Sequence, residues 1–194
     1  MRSRFRTLIL AAVLAAVPAF AAIAQQDHAA HNQVQPTGLA KDLLEDIGQV
    51  ERKLLGLARA IPEEKFGWRP GEGVRSVSEV VMHVASDNYL IPAALGFAAD
   101  PATGIKGEDY NTAVAFEKRT VTKAQAIAEL EKSFAFVKQS LAATGAPQLT
   151  KSVKMFGQSF TMQQGWIMAT THLHEHLGQM IAYARSNGVK PPWG

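Results

Sequence analysis

The stretch that decides the fold is residues 161–188, TMQQGWIMATTHLHEHLGQMIAYARSNG. Thr161 and Gln164 match a capping box, in which an N-cap hydroxyl and a side chain three residues on satisfy each other's backbone N–H groups. Gly188 stands where a helix ends by turning left-handed. The spacing predicts one long helix over Thr161–Asn187, carrying Thr171-His172-Leu173-His174-Glu175-His176. A helix advances about 100° per residue, so His172 and His176 stack one turn apart, whereas His174 points away. Two imidazoles at that spacing can reach one metal ion. The pattern is not the H-E-x-x-H of zinc proteases, because Gly178 occupies the place where the second histidine is needed.

Three further helices are expected upstream. From Leu39 to Ala60, Leu43, Ile47, Val50, Leu54, Leu57 and Ile61 recur at spacings of three and four, and Pro62 ends the run. A second helix begins at Ser76, which with Glu79 forms another capping box, and buries Val77, Val80, Val81 and Val84. Asp100-Pro101 is its latest possible end. A third begins at Thr122, capped with Gln125, carries Ile127, Leu130, Phe134, Val137 and Leu141, and stops at Gly145. Residues 101–120 lack periodicity and read as a long crossing loop. Val153–Phe160, with Phe156-Gly157 near its middle, reads as a small hairpin or ordered turn. No internal repeat is present. Four amphipathic helices bury their stripes together as an all-α fold, an antiparallel four-helix bundle.

A metal site needs more than two ligands. His83, in the second helix beside Val80 and Val84, is the one remaining histidine of the folded region, though spacing alone does not bring it to the pair. Three histidines with an open coordination position form a catalytic zinc arrangement. Asp87, one turn beyond His83, is placed to orient an imidazole, ligate or act as a base. Glu175 and Gln179 flank the histidine face and are further candidates for proton transfer or orientation. Trp68, Tyr89, Trp166 and Tyr183 are candidate pocket aromatics, or ordinary bundle packing.

Three segments together resemble the DinB/YfiT-like family of proposed metalloenzymes: Phe66-Gly67-Trp68-Arg69-Pro70, Val74-Arg75-Ser76-Val77-Ser78-Glu79-Val80-Val81-Met82-His83-Val84-Ala85, and His172-Leu173-His174-Glu175-His176-Leu177-Gly178-Gln179. The resemblance spans roughly Leu39 to Gly188. It implies a four-helix bundle with one divalent metal on His83, His172 and His176; zinc is the first expectation, and nickel or iron also accept three imidazoles. Many relatives have His and Arg where this chain has Glu175 and Leu177. The resemblance also implies a homodimer and a choice of activities: hydrolysis, or transfer and isomerisation with a low-molecular-weight thiol.

The first 24 residues read as a signal peptide: basic Arg2, Arg4 and Arg6, an apolar run from Leu8 to Phe20, then Ala22-Ile23-Ala24 at the cleavage point. The run is short for a membrane span, which needs about 20 residues. An exported, periplasmic or secreted protein is therefore expected. Residues 25–37 form a polar leader in which His28 and His31 belong to a solvated tail, and residues 38–190 form the domain. The signal carries three of the 20 basic residues and none of the 17 acidic ones, so the remainder balances at 17 against 17. That balance points away from nucleic acid and, after cleavage, from a membrane surface. With no cysteine, thiolate catalysis and cysteine-ligated zinc are excluded. Export also counts against a thiol cosubstrate. Two functions remain: a metal-dependent hydrolase or transferase of a small molecule, or a noncatalytic periplasmic metal-binding or stress-associated domain.

Overall fold

The computed structural model describes residue 36 and residues 38–194; the signal peptide, most of the leader, His28 and His31 lie outside the described residues. Five helices and one hairpin follow in order: α1 (Leu39–Ala60), α2 (Val77–Ala94), α3 (Tyr110–Glu117), α4 (Lys123–Ala142), β1 (Ser152–Met155), β2 (Gln158–Thr161) and α5 (Met162–Ser186). All three expected capping boxes form, at Ser76/Glu79, Thr122/Gln125 and Thr161/Gln164. Among the described residues no helix is long and apolar enough to cross a membrane.

The four long helices make a bundle whose strand of contacts is not sequential. Helix α1 packs on α4 and α5, and α2 packs on the same two. Their directions can be read from cross-helix contacts. Lys123 at the start of α4 donates to the carbonyls of Arg59 and Ile61 at the end of α1, while Lys138 pairs with Glu51, so α1 and α4 are antiparallel. His174 meets Asp46, and Pro192 beyond α5 lies against Gly56, so α5 runs with α1. Tyr183 reaches the Arg75 carbonyl and Gly165 abuts Leu95, so α2 and α5 are antiparallel. It follows that α2 and α4 run the same way. The expectation of an antiparallel bundle is thus corrected to an up-down-down-up order, in which α2 and α4 are parallel. A parallel pair needs a connection as long as the helix itself, and residues 95–122 supply it.

That crossover is the second correction, because it contains α3 where a plain loop was expected. Asp109 caps it by accepting from the Asn111 N–H. Only Ala113 and Phe116 are buried, three residues apart, so the helix is too short for a periodic signal. Gly107 precedes it where the crossover passes α2: a Cβ there would stand 2.3 Å from the backbone of Ala93. Only glycine lets the crossover lie this close to the end of α2.

Helix α2 is the centre of the molecule. Beyond the expected valine stripe it also buries Met82, Leu90 and Ile91, together with the polar run His83, Ser86, Asp87 and Asn88. A helix covered on several sides loses its amphipathic signature. Burying polar side chains is costly unless each finds a partner. Asn88 donates to Ser133 and Ser86 to the His83 carbonyl. Around them Trp166, Phe116, Phe134, Ile47 and Leu130 fill the core.

Candidate metal centre

His83 is brought to the α5 pair. Its Nε2 lies 3.2 Å from His172 Nε2, which is 3.0 Å from His176 Nε2. The three rings meet edge to face. Ring nitrogens pointing at one another in this way suit a shared cation. Imidazoles about 2.0–2.1 Å from a tetrahedral zinc place their nitrogens about 3.4 Å apart, close to the spacing found. The donor set therefore fits a divalent ion such as zinc.

The outer nitrogens of His83 and His176 are also engaged. His83 Nδ1 lies 3.0 Å from Glu117 Oε2. A carboxylate only accepts, so Nδ1 carries the proton and Nε2 keeps its lone pair for a metal. His176 Nδ1 donates to Gln179 Oε1 at 2.8 Å, with the same consequence. Gln179 Nε2 in turn donates to the Tyr183 hydroxyl, which donates to the Arg75 carbonyl. The Arg75 guanidinium closes the circuit by donating to both Glu117 oxygens, at 2.5 and 3.1 Å. Both orienting chains thus end on Arg75, just before the cap of α2.

The electrostatics follow from these contacts. Burial works against a charged Glu117, but hydrogen bonds from His83 and Arg75 outweigh it and hold the carboxyl at about 2. Burial pushes His176 down to about 4, opposed by Gln179 and aided by the neighbouring His172, His83 and Arg75. His176 is therefore a neutral imidazole at neutral pH, the form that binds metal.

Asp87 is buried, 8% exposed, with Oδ2 3.1 Å from His172 Nε2 and 3.7 Å from His83 Nε2. It sits beside the converging nitrogens. A cavity of about 500 Å³ opens there, lined in part by Asp87, His172, Leu90, Ile91 and Met168. That volume is in the range of small-molecule sites.

The other candidates are placed as follows. Gln179 holds His176. Glu175 is exposed and makes no side-chain hydrogen bond among the described residues. His174 points to α1 and meets Asp46 at 2.7 Å. The four expected aromatics do not line this cavity. Trp166 is core and donates to Thr144, Trp68 packs edge-on against Tyr183, and Tyr89 stacks near Phe116 and Phe136. The cavity aromatics are Tyr110 and Phe156 instead. Sequence reasoning missed these two, Glu117 and Arg75's part in holding it. The available signal for the α3 residues was Asp109 as a cap, followed by Ala113 and Phe116 one turn apart.

Comparison with known proteins agrees with this architecture. No curated protein sequence matches the chain. Among solved structures, a DinB-like protein from Bacillus cereus ATCC 10987 superposes with a TM-score of 0.64 at 15% identity, over 78% of this chain and 95% of that one. A protein described as a putative member of the DinB family, from Exiguobacterium sibiricum 255-15, gives 0.59 at 25% identity, over 78% and 93%. YfiT from Bacillus subtilis, a probable metal-dependent hydrolase with an unusual four-helix bundle topology, gives 0.62 at 14% identity, over 78% and 89%. The DinB superfamily model matches residues 47–180, most of the described bundle, and the chain belongs to that superfamily.

Proposed function

We propose that the protein is a metal-dependent enzyme, a hydrolase or transferase of a small molecule, whose divalent ion is held by His83, His172 and His176. The observation that carries this is the convergence of three imidazoles beside a buried carboxylate, where a cavity opens. Zinc in such a site lowers the pKa of bound water to about 7. The protein's own contribution is orientation and proton transfer. Glu117 and Gln179 fix the tautomers of His83 and His176. Asp87 Oδ2, next to His172, accepts the proton of the attacking nucleophile and returns it to the leaving group. Leu90, Ile91 and Met168 give the cavity apolar walls on which the body of a small molecule can rest.

The signal-like first 24 residues support export, and little reduced thiol is met outside the cytoplasm. Both favour hydrolysis over thiol transfer. A noncatalytic metal-binding domain is the alternative, favoured by a fourth protein ligand or by closure of the site to solvent. Asp87 is the group placed to be that ligand; the cavity opening on it favours the enzyme. The test is metal content of the purified mature protein by mass spectrometry, beside His83→Ala and His172→Ala. The expected result is one metal per chain in the parent and loss in both variants. Stoichiometric metal in both variants would overturn the site.

A further inference from the structure

We propose that the lining of this cavity favours small molecules with an apolar body and a positively charged amine over anions of the same shape; the proposal rests on reading the site as an enzyme's substrate pocket. Two observations carry it, the charge of the lining and the residue at the hairpin tip.

The lining contains two carboxylates, Asp87 within and Glu108 exposed towards the mouth, and no lysine or arginine. The arginine behind His83, Arg75, is already engaged by Glu117. A phosphate or carboxylate entering here would meet like charge with no cation from the protein to pair with it. A bound divalent ion would outweigh Asp87 at the depth of the site, so the acidic preference of the protein's own lining acts through Glu108, which faces the incoming ligand.

The hairpin supplies the second observation. Met155 pairs with Gln158, so Phe156-Gly157 forms a two-residue turn, with φ of 53° and 76°. Both values lie in the left-handed region. Turns of this kind favour Asn-Gly, and a bulky residue in the first position is strained. Phe156 is nonetheless there, 46% exposed, edge-on to Tyr110, which is 50% exposed, with ring centroids 6.5 Å apart. The left-handed turn disfavours a phenyl ring, whereas the cavity gains an aromatic lip. Strain held at a ligand site is a sign of function. Aromatic rings beside a carboxylate attract an alkylammonium through cation–π and ionic contacts together. The apolar body then lies along Ile91 and Met168, with the reacting group towards His172 and Asp87.

The test uses the full chain, zinc-loaded and chelator-stripped, with three probes of one shape: 4-phenylbutylammonium, 4-phenylbutanol and 4-phenylbutanoate. Backbone-amide NMR titration measures affinity, and zinc stoichiometry is read on the same samples. The ammonium probe is expected to bind about tenfold or more tighter than the carboxylate in the stripped form, where coordination to metal cannot mask the charge preference. Glu108→Gln should shrink that ratio to about threefold or less without changing alcohol binding. Phe156→Ser should weaken all three probes by about fivefold. Equal or tighter carboxylate binding in the stripped form would overturn the proposal, as would a lack of shifts at Tyr110, Phe156 and Met168 with every probe. Ammonium preference without zinc binding would sink the metal site and leave this proposal standing; zinc binding without ammonium preference would do the reverse.

Discussion

The site has a deep half and a lip, and they are built differently. The deep half is His83, Asp87, His172 and His176, on α2 and α5, two long helices packed antiparallel through the core. The His83 and His176 rings have neighbours that fix them, down to the Arg75 circuit. The lip is Glu108, Tyr110 and Phe156, on a crossover and a two-stranded hairpin whose side chains are largely exposed. Chemistry that needs ring nitrogens placed to a few tenths of an ångström is carried by rigid elements. Recognition, which tolerates variation, is carried by short ones. Substitutions in one half should therefore leave the other's property intact.

The largest effect is expected from removing a ligand. His83→Ala should lower zinc affinity by more than about 100-fold, beyond the loss caused by removing an outer partner. Chelator competition measures it, with circular dichroism to confirm that the helices remain. Next comes Glu117→Gln, which keeps an acceptor for His83 Nδ1 but removes the charge and leaves Arg75 unpaired. Zinc affinity should fall by about 10–100-fold. An unchanged value would mean that α3 does not belong to the deep half.

Smaller effects separate stability from function. Ser76→Ala removes the hydroxyl that accepts from the Glu79 N–H at the start of α2, and should cost about 1 kcal/mol. Denaturant unfolding would show this. Because α2 is held by its core packing, zinc affinity in the folded protein should stay within about twofold. The smallest effect is the most telling for the lip. Phe156→Asn relieves the left-handed strain and should stabilise the protein by about 0.5–1 kcal/mol, with zinc affinity unchanged. A destabilised variant would show that the phenyl ring packs for the fold, and altered zinc affinity would show that the two halves are coupled.

The deep half was legible because helices advertise themselves. His172 and His176 are four apart on a helix whose capping box and terminal glycine are local signals, and such signals depend only on nearby residues. The i, i+4 spacing also excluded His174, which meets Asp46 on the other side. His83 was different. Its helix is buried on several faces, so periodicity said little about where it pointed; the order of motifs shared with a known family brought it to the pair. The lip was hidden. Helix α3 buries two side chains and gives no stripe, and the four aromatics singled out upstream and on α5 went to packing or to orientation.

By itself, then, the sequence determined the four long helices, their three capping boxes, the hairpin position and the facing pair of histidines, all consequences of contacts within a few residues along the chain. The tertiary structure alone decided the helix directions, the climb of the crossover along α2, and the meeting of Glu117 with His83 and of Phe156 with Tyr110. These contacts join residues far apart in the chain. Their geometry depends on which helices share a face, and that is settled by packing of the whole core rather than by any local pattern.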